Sequence, residues 1–312
     1  VRDVCVIGLG LIGGSVLRAA KAAGRTVWGA TASKEDADKA RAEGFDITSV
    51  DEALGRDPEA LVVLAVPLPA LPDLLRKIPA GTRLTDVTSV KGPVHDAVHR
   101  YAKEVRFVGG HPMAGTSQSG WDAGSATLFQ NAAWVVTPEE ADDHLNDVME
   151  LALDLGAHVV PTTPEEHDEA VARISHLPHV MAAILAATGA DGGPLAMALA
   201  AGSFGDGTRV AGSRPELVRA MCEGNRDALL MAVDDALGRL GAARGSLAST
   251  GGLAKTIEAG HEGRNTLVNQ PQRTKITIDL TKPGALAALR NLGSRGGRVV
   301  GLNGSTATAE TS

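Results

Sequence analysis

The sequence predicts an α/β fold in two parts, an N-terminal doubly wound, mostly parallel sheet followed by an all-helical dimerisation domain. Two broad patterns support it. As far as Pro161, short apolar runs alternate with helical stretches, as in strands joined by crossover helices. From Glu165 to about Glu258 the chain reads almost wholly helical and rich in Ala and Leu, with Leu229, Val233, Ala236, Leu237 and Leu240 at helical spacing. The third observation is local. Apolar Val4–Ile7 leads into Gly8-Leu9-Gly10-Leu11-Ile12-Gly13-Gly14-Ser15 and then into an Ala-rich stretch, which reads as the strand, tight turn and helix of a Rossmann-type dinucleotide site. In this reading Gly8 permits the turn, Gly10 lets the backbone approach a pyrophosphate, and Gly13 lets the helix pack close on the strand. The helix start at Leu11, Ile12 and Gly13 offers unpaired N–H groups and a positive dipole end to the phosphates.

Taken in order, strands are expected at Val4–Ile7, Thr26–Gly29, Ala60–Val66, Arg83–Val87, Arg106–Gly109, Ala133–Thr137 and His158–Pro161. Helices are expected at Leu11–Ala23, Lys34–Glu43, Leu68–Lys77, Gly92–Ala102 and Glu139–Leu155. Leu61–Val66 and Trp134–Val136 are apolar without alternation, as in strands covered on both faces. Residues 1–163 then form the dinucleotide-binding domain and 164–270 a helical substrate and dimerisation domain. So apolar a helical domain is expected to bury its surplus face against a second copy, giving a homodimer. Thr274–Leu280 alternates like a strand, Lys282–Leu292 reads as a turn into a helix, and Arg298–Leu302 reads as a strand. This βαβ appendage over 271–303 resembles the first half of an ACT regulatory domain, and reads equally as an appendage that packs on the body. The small, polar stretch 304–312 is expected to fray.

Composition narrows the function. The 312 residues are 44% hydrophobic and 21% charged, with a net charge of −7, so no basic footprint argues for nucleic acid. No apolar run is expected to reach the length of a membrane span, and no signal peptide is read at the start, so a cytoplasmic location is expected. Cys5 and Cys222, far apart in apolar or helical contexts, read as reduced thiols rather than a disulfide or metal pair.

The chemistry is expected at the carboxyl ends of the strands. Gly29-Ala30-Thr31-Ala32-Ser33-Lys34 has no acid to meet the ribose hydroxyl of NAD, whereas Thr31, Ser33 and Lys34 suit the 2′-phosphate of NADP. The reading leans to NADP, with NAD open, and with Thr31 alternatively a helix cap. Val66 and Pro67 end another strand where a nicotinamide would lie. Ser89 and Lys91 end the next, with a helix cap and a solvated charge as the plain alternatives. His111 leaves a strand between glycines and Pro112, positioned either as a structural histidine or as a base suited to taking a proton from an alcohol. His176 and His179 lie on one helical face, but no third or fourth ligand accompanies them, so no metal is expected. Arg209 follows flexible backbone and is placed to fork onto a carboxylate, or to pair with Asp206.

Together, Gly8–Ser15, Asp86-Val87-Thr88-Ser89-Val90-Lys91, Gly110-His111-Pro112-Met113-Ala114-Gly115-Thr116, Ser175-His176-Leu177-Pro178-His179 and Thr208-Arg209-Val210-Ala211-Gly212-Ser213 resemble, in this order, the prephenate/arogenate dehydrogenase family of tyrosine biosynthesis, in an actinobacterial-like form. The resemblance covers roughly residues 1 to 265. It implies oxidative decarboxylation of prephenate to 4-hydroxyphenylpyruvate with hydride transfer to NAD(P), or of arogenate to tyrosine. It also implies roles. His111 takes the ring hydroxyl proton, and Ser89 orients His111 and the nicotinamide. Arg209 binds a substrate carboxylate with help from His176, Asp206 holds the site closed, and Thr116 and Ser117 line the substrate. Gly8, Gly10, Gly13 and Gly14 carry the cofactor phosphates. Many relatives have an acid just after the histidine motif where this chain has Ser117-Gln118-Ser119, which tilts the reading towards prephenate, although Asp122 is nearby. Gly205 stands where relatives often have Arg. Feedback inhibition by tyrosine is left open. Two other readings compete: a β-hydroxyacid-type dehydrogenase, which would need a catalytic Lys motif not found here, and an NADP-sensing protein on the same scaffold.

Overall fold

The computed structural model describes residues 1–116, 118–269 and 272–311. The first part runs β1 (Val4–Ile7), α1 (Leu11–Ala22), β2 (Val27–Ala30), α2 (Lys34–Ala42), β3 (Asp46–Ile47), α3 (Val50–Gly55), β4 (Leu61–Leu64), α4 (Leu71–Leu75), β5 (Arg83–Asp86), α5 (Gly92–Tyr101), β6 (Arg106–Pro112), β7 (Ala133–Thr137), α6 (Asp143–Asp154) and β8 (His158–Pro161). The strands lie side by side as β3-β2-β1-β4-β5-β6-β7-β8. They are parallel as far as β6, β7 is antiparallel to β6, and β8 is parallel to β7. This is the doubly wound order, with its switch point, and so its ligand crevice, between β1 and β4. Alternate β1 side chains serve two cores. Val4 and Val6 pack with Val16, Leu17 and Met149, whereas Cys5 and Ile7 pack with Leu71, Leu75 and Val94.

Three local departures have simple causes. The short β3 and α3 were not expected, although Ser49 and Glu52 form a reciprocal capping box that starts α3. Leu68–Lys77 is not one helix but a 3-10 turn at Leu68–Ala70 followed by the short α4, because Pro69 and Pro72 remove backbone donors. The helix expected from Glu139 begins only at Asp143, where the Asp142 carboxylate accepts from the Leu145 N–H.

The second part is helical, as expected: α7 (Pro164–Val171), a π-helical turn at Ala172–His176, α8 (Leu177–Asp191), α9 (Gly193–Ala198), α10 (Gly202–Thr208), a 3-10 turn at Arg209–Gly212, α11 (Pro215–Gly224), α12 (Arg226–Ser249) and α13 (Ala254–Val268). One expectation is corrected. Pro164–Asp191 is a continuous 28-residue helical run that is long and apolar enough to cross a membrane by length and composition. Its start carries Glu165, Glu166, His167 and Asp168, and the last two are buried against protein groups. The apolar surplus lies further along the domain, where Ile184, Leu195, Leu199, Leu237, Leu240 and Ile257 are each more than half exposed.

The C-terminal part adds β9 (Thr274–Asp279), α14 (Ala285–Ser294), β10 (Arg298–Asn303) and β11 (Thr306–Thr311). It packs on the body, because Val299 of β10 pairs with Val159 of β8 and the sheet continues to eleven strands, ending β8-β10-β11-β9. One expectation is corrected: the tail does not fray. Residues 306–311 form the strand between β10 and β9, with Ala307 and Ala309 fully buried. Gly304, at φ 56°, turns the hairpin, and Thr306-Ala307-Thr308-Ala309 alternates with the period of a strand. Its side chains are small enough to resemble low-complexity tail, and Ser312 lies outside the described residues.

The glycines of the first turn separate stability from binding. A Cβ on Gly13 would sit 1.9 Å from the Gly8 carbonyl oxygen, whereas one on Gly10 would meet nothing within 4 Å. Gly13→Ala is therefore expected to lose roughly 2–3 kcal/mol in urea denaturation. Gly10→Ala should denature like the parent while its dinucleotide affinity, read by fluorescence titration, falls.

Candidate active site

The nucleotide edge is built as the glycines predict. Gly8 has φ +102°, and a Cβ there would lie 2.3 Å from the Ala65 carbonyl oxygen, so only glycine makes this turn. Gly10 caps α1 without a side chain, leaving the N–H groups of Leu11, Ile12 and Gly13 without intrahelical acceptors beside open space. This cradle fits a dinucleotide pyrophosphate. Gly14 differs from expectation: a Cβ there would meet the Trp121 ring at 3.0 Å, so it makes room for that indole rather than for phosphate. At the end of β2, Ser33 rather than Thr31 caps α2, accepting from the Asp36 N–H at 3.2 Å. Thr31 Oγ1 accepts from the Ser33 N–H at 3.3 Å, and Lys34 pairs with Asp38 at 2.6 Å. Val66 and Pro67 follow β4 on the same edge.

Lys91 is not a solvated charge. Its side chain is fully buried, with Nζ 2.5 Å from Asp86 Oδ2 and 2.6 Å from the Gly110 carbonyl oxygen. Asp86 Oδ1 accepts from the Gly110 N–H at 3.0 Å. Both peptide groups of Gly110 are thus held by one ion pair, and His111 is the next residue. Glycine is required there, because a Cβ on Gly110 would lie 2.5 Å from the Asp86 carbonyl oxygen. The backbone N–H groups of Lys91 and Gly92 donate to the two oxygens of Asp168, each at 2.8 Å.

A chain of side chains follows. His111 Nδ1 lies 2.8 Å from His167 Nε2, and His167 Nδ1 lies 2.7 Å from Asp168 Oδ1. His111 extends beyond the part of β6 that pairs with β5, at the carboxyl edge of the parallel strands. Its Nε2 has no hydrogen bond among the described residues. Burial, then the neighbouring His167, Lys91 and His176, holds the His111 pKa well below 6.5, so this imidazole is neutral and able to accept a proton. His167 is lowered by burial against the opposing effect of Asp168. Burial would raise Asp168, but the bonds from His167, Lys91 and Gly92 outweigh it and keep the carboxyl below its usual range.

His176, from the π-helical turn, is fully buried. Asn225 Nδ2 donates to the Asp168 carbonyl oxygen at 2.7 Å and approaches His176 Nδ1 at 3.1 Å. An amide N–H can only donate, so His176 carries its proton on Nε2, and that buried nitrogen has no partner. Desolvation lowers its pKa to about 4. His179 does not converge with it, since its Nδ1 bonds the Ser175 carbonyl oxygen at 2.8 Å within its own helix.

Other expected site residues stand apart. Ser89 is half-buried, is not the cap of α5, and has no hydrogen bond to His111; the partner of His111 is His167. Thr116 is exposed and accepts from the Gln118 N–H, and Ser117 lies outside the described residues. Arg209 and Asp206 are exposed and form no ion pair with each other or with other described residues. Their segment packs on α8. His167, Asp168 and Asn225 were missed. In sequence, Glu165-Glu166-His167-Asp168-Glu169 reads as the solvated first turn of a helix, and its only signal was a histidine–aspartate pair beside the domain boundary. A cavity of about 500 Å³ is lined by Met113, Val135, His167, Ala170 and Gly293.

A family model described as prephenate dehydrogenase, nucleotide-binding domain, matches residues 16–161, and one described as prephenate dehydrogenase, dimerization domain, matches 163–251. The prephenate dehydrogenase of Bacillus subtilis is 36% identical over 257 residues, 74% of this chain and 66% of that one. This chain therefore spans just under two thirds of that relative. A Corynebacterium glutamicum crystal structure, provisionally assigned as a prephenate dehydrogenase, is 40% identical, with a TM-score of 0.86 over 95% of this chain and 98% of its own. The Aquifex aeolicus prephenate dehydrogenase, solved with hydroxyphenyl propionate and NAD+, is 26% identical, with a TM-score of 0.77 over 86% of this chain and 98% of its own.

Three imidazoles, His111, His167 and His176, all lie below their ordinary pKa in the folded chain. Unfolding frees them to take up protons once the pH falls below about 6.5. The folded state binds fewer protons there, so stability is fullest above pH 6.5 and falls as pH drops towards 4. Urea midpoints at pH 7.5, 6.0 and 5.0 are expected to decrease in that order, and a His176→Asn variant should show a shallower slope.

Proposed function

From the premise that the chain belongs to the prephenate dehydrogenase family, we propose that it oxidises prephenate to 4-hydroxyphenylpyruvate with loss of CO2, in tyrosine biosynthesis. The observation that carries this is His111: a neutral imidazole at the ligand edge of the sheet, with Nδ1 engaged and Nε2 without a partner. The bound dinucleotide supplies the hydride acceptor. His111 Nε2 accepts the proton of the ring hydroxyl as the carbon bearing it is oxidised, and aromatisation drives loss of the ring carboxylate as CO2. The protein's task is mainly to position groups and take one proton. Arg209, with no ion pair among the described residues, meets a substrate carboxylate, and the unpartnered N–H of His176 donates to the same end of the substrate. Asp206 lies one helical turn before Arg209 and helps close the site, and Thr116 lines its rim. Ser89, at the end of β5, faces the nicotinamide.

Prephenate is favoured over arogenate by Asp122. It is the first acid after the histidine motif along the chain, and it is already held by Lys39 at 2.5 Å, on the α2 side. NADP is favoured because no carboxylate stands free where β2 ends. Glu35 pairs with Lys39, and Asp36 accepts from the Trp121 N–H. Thr31, Ser33 and Lys34 surround the place of a 2′-phosphate. The exposed apolar helices, within the stretch matched by the dimerization model, bury against a second copy in the cytoplasm.

Steady-state rates for prephenate and arogenate, each with NAD and NADP, test this directly. The highest kcat/KM is expected with prephenate and NADP, and turnover of neither substrate would overturn the reading. His111→Asn is expected to lower kcat by about 10²–10⁴ while dinucleotide affinity is retained. Light scattering at micromolar concentration is expected to give twice the chain mass, and Leu237→Glu with Leu240→Glu should shift that mass towards the monomer.

A further inference from the structure

We infer that His167 and Asp168 are positioning residues that fix the tautomer of His111, so that its bare nitrogen is the one facing the substrate edge. The inference rests on His111 being the base, and it assigns an interdomain relay to that base. His111 belongs to β6 of the nucleotide-binding part, whereas His167 and Asp168 belong to α7, the first helix of the other part.

The argument follows proton placement along one chain of contacts. Asp168 already accepts the backbone N–H of Lys91 at Oδ1 and that of Gly92 at Oδ2, each at 2.8 Å. An ionised carboxylate can only accept, so the 2.7 Å contact from His167 Nδ1 must carry the proton on the imidazole. A neutral His167 then has a bare Nε2. That nitrogen lies 2.8 Å from His111 Nδ1, so His111 must be the donor in this contact. One proton per ring remains the rule, and His111 Nε2 is left bare. When Nε2 takes the substrate proton, the imidazolium formed is stabilised through His167 by the Asp168 charge, as hydrogen bonds to charged groups strengthen in a poorly solvated site.

The surroundings hold each link. His167 is 2% exposed and Asp168 8%, so water does not compete for these contacts. A Cβ on Gly92 would lie 3.1 Å from Asp168 Oδ2, so glycine lets the carboxylate approach the start of α5 closely. Asn225 fixes the Asp168 carbonyl from α11–α12. The cation of Lys91 is committed to Asp86 and Gly110, and His176 is turned to Asn225, so neither replaces His167 beside His111. Ser89, the residue expected to orient His111, makes no such contact among the described residues.

The test is nitrogen-15 NMR of the full chain labelled at histidine, with the His111 signals assigned by their loss in His111→Asn. The parent is expected to show His111 protonated at Nδ1 and bare at Nε2 near pH 7.5; a proton on Nε2 instead would overturn the proposal without any variant. Asp168→Ala removes the acceptor that holds the His167 proton on Nδ1, so the His111 proton is expected to be shared between Nδ1 and Nε2. Its kcat should fall by about 10²–10³ with KM for both substrates within about threefold. His167→Gln keeps a donor and an acceptor at similar separation and should recover at least about a tenth of parental kcat, whereas His167→Leu should not. Equal kcat in His167→Leu and His167→Gln would overturn the relay. The NMR readout needs no turnover, so it stands or falls separately from the identity of the substrate.

Discussion

Lys91 is the point from which the candidate site is suspended. Its ammonium is buried against Asp86 and the Gly110 carbonyl, which sets the backbone of β6 just before His111. Its own N–H holds Asp168, which belongs to the helical part of the chain. One residue therefore fixes the His111 segment from the sheet side and the Asp168 carboxylate from the helix side. Burying such an ion pair is a poor way to gain stability, since desolvation offsets much of the attraction. What it gives is a unique arrangement. Removing either partner would leave a buried charge unpaired, so the pair tolerates few alternatives, and the edge of the sheet is held in one geometry.

That arrangement explains which parts of the site the sequence discloses. Gly8, Gly10 and Gly13 could be read because each responds to a constraint within one strand–turn–helix unit, and the structure shows the expected positive φ, open approach and close packing. His111 was visible because its neighbours restrict backbone freedom. His167 and Asp168 were not, because their roles depend on contacts to residues 56 and 77 positions away along the chain. Seen locally, they extend an acidic helix start capped by Thr163 and Glu166. The anchoring role of Lys91 was not legible for the same reason, as no local pattern marks a lysine whose partners are a carboxylate and a carbonyl brought together by two strands. Apart from the short β3 and α3, the order of the helices and strands to residue 161 was legible from periodicity. The terminal strand was not, because alanine and threonine alternate with too little contrast to announce a buried face.

The second glycine pair shows how a motif can serve two ends. Gly13 admits the strand, but Gly14 admits Trp121, which is fully buried against α1 and α2. The indole is held on several sides. Its Nε1 donates to Glu43, its backbone N–H to Asp36, and the Arg18 guanidinium lies 3.7 Å from its ring centroid while binding its carbonyl. Ser15 of α1 accepts from the Ser125 N–H. The excursion between β6 and β7, which begins with the histidine motif, is therefore stitched to α1, the helix that follows the glycine turn. That helix and the segment leaving His111 are one packed unit.

The C-terminal strands extend this logic to the far edge. A Cβ on Gly293 would lie 1.7 Å from the Pro161 carbonyl oxygen, so α14 packs directly on the end of β8. Residue 161 is two positions before the cap of α7, the helix that carries His167 and Asp168. Arg290 of the same helix donates to the Pro138 carbonyl, beyond β7. The strand entering α7 is thus braced by β7 on one side and by β10 on the other, with α14 across its end. A helix start held to a few tenths of an ångström is what a chain of 2.7–2.8 Å contacts between α7 and β6 requires, because such bonds weaken steeply when stretched or bent. In this molecule the last strands, though distant from the nucleotide edge, belong to the framework that keeps the imidazole of His111 in line.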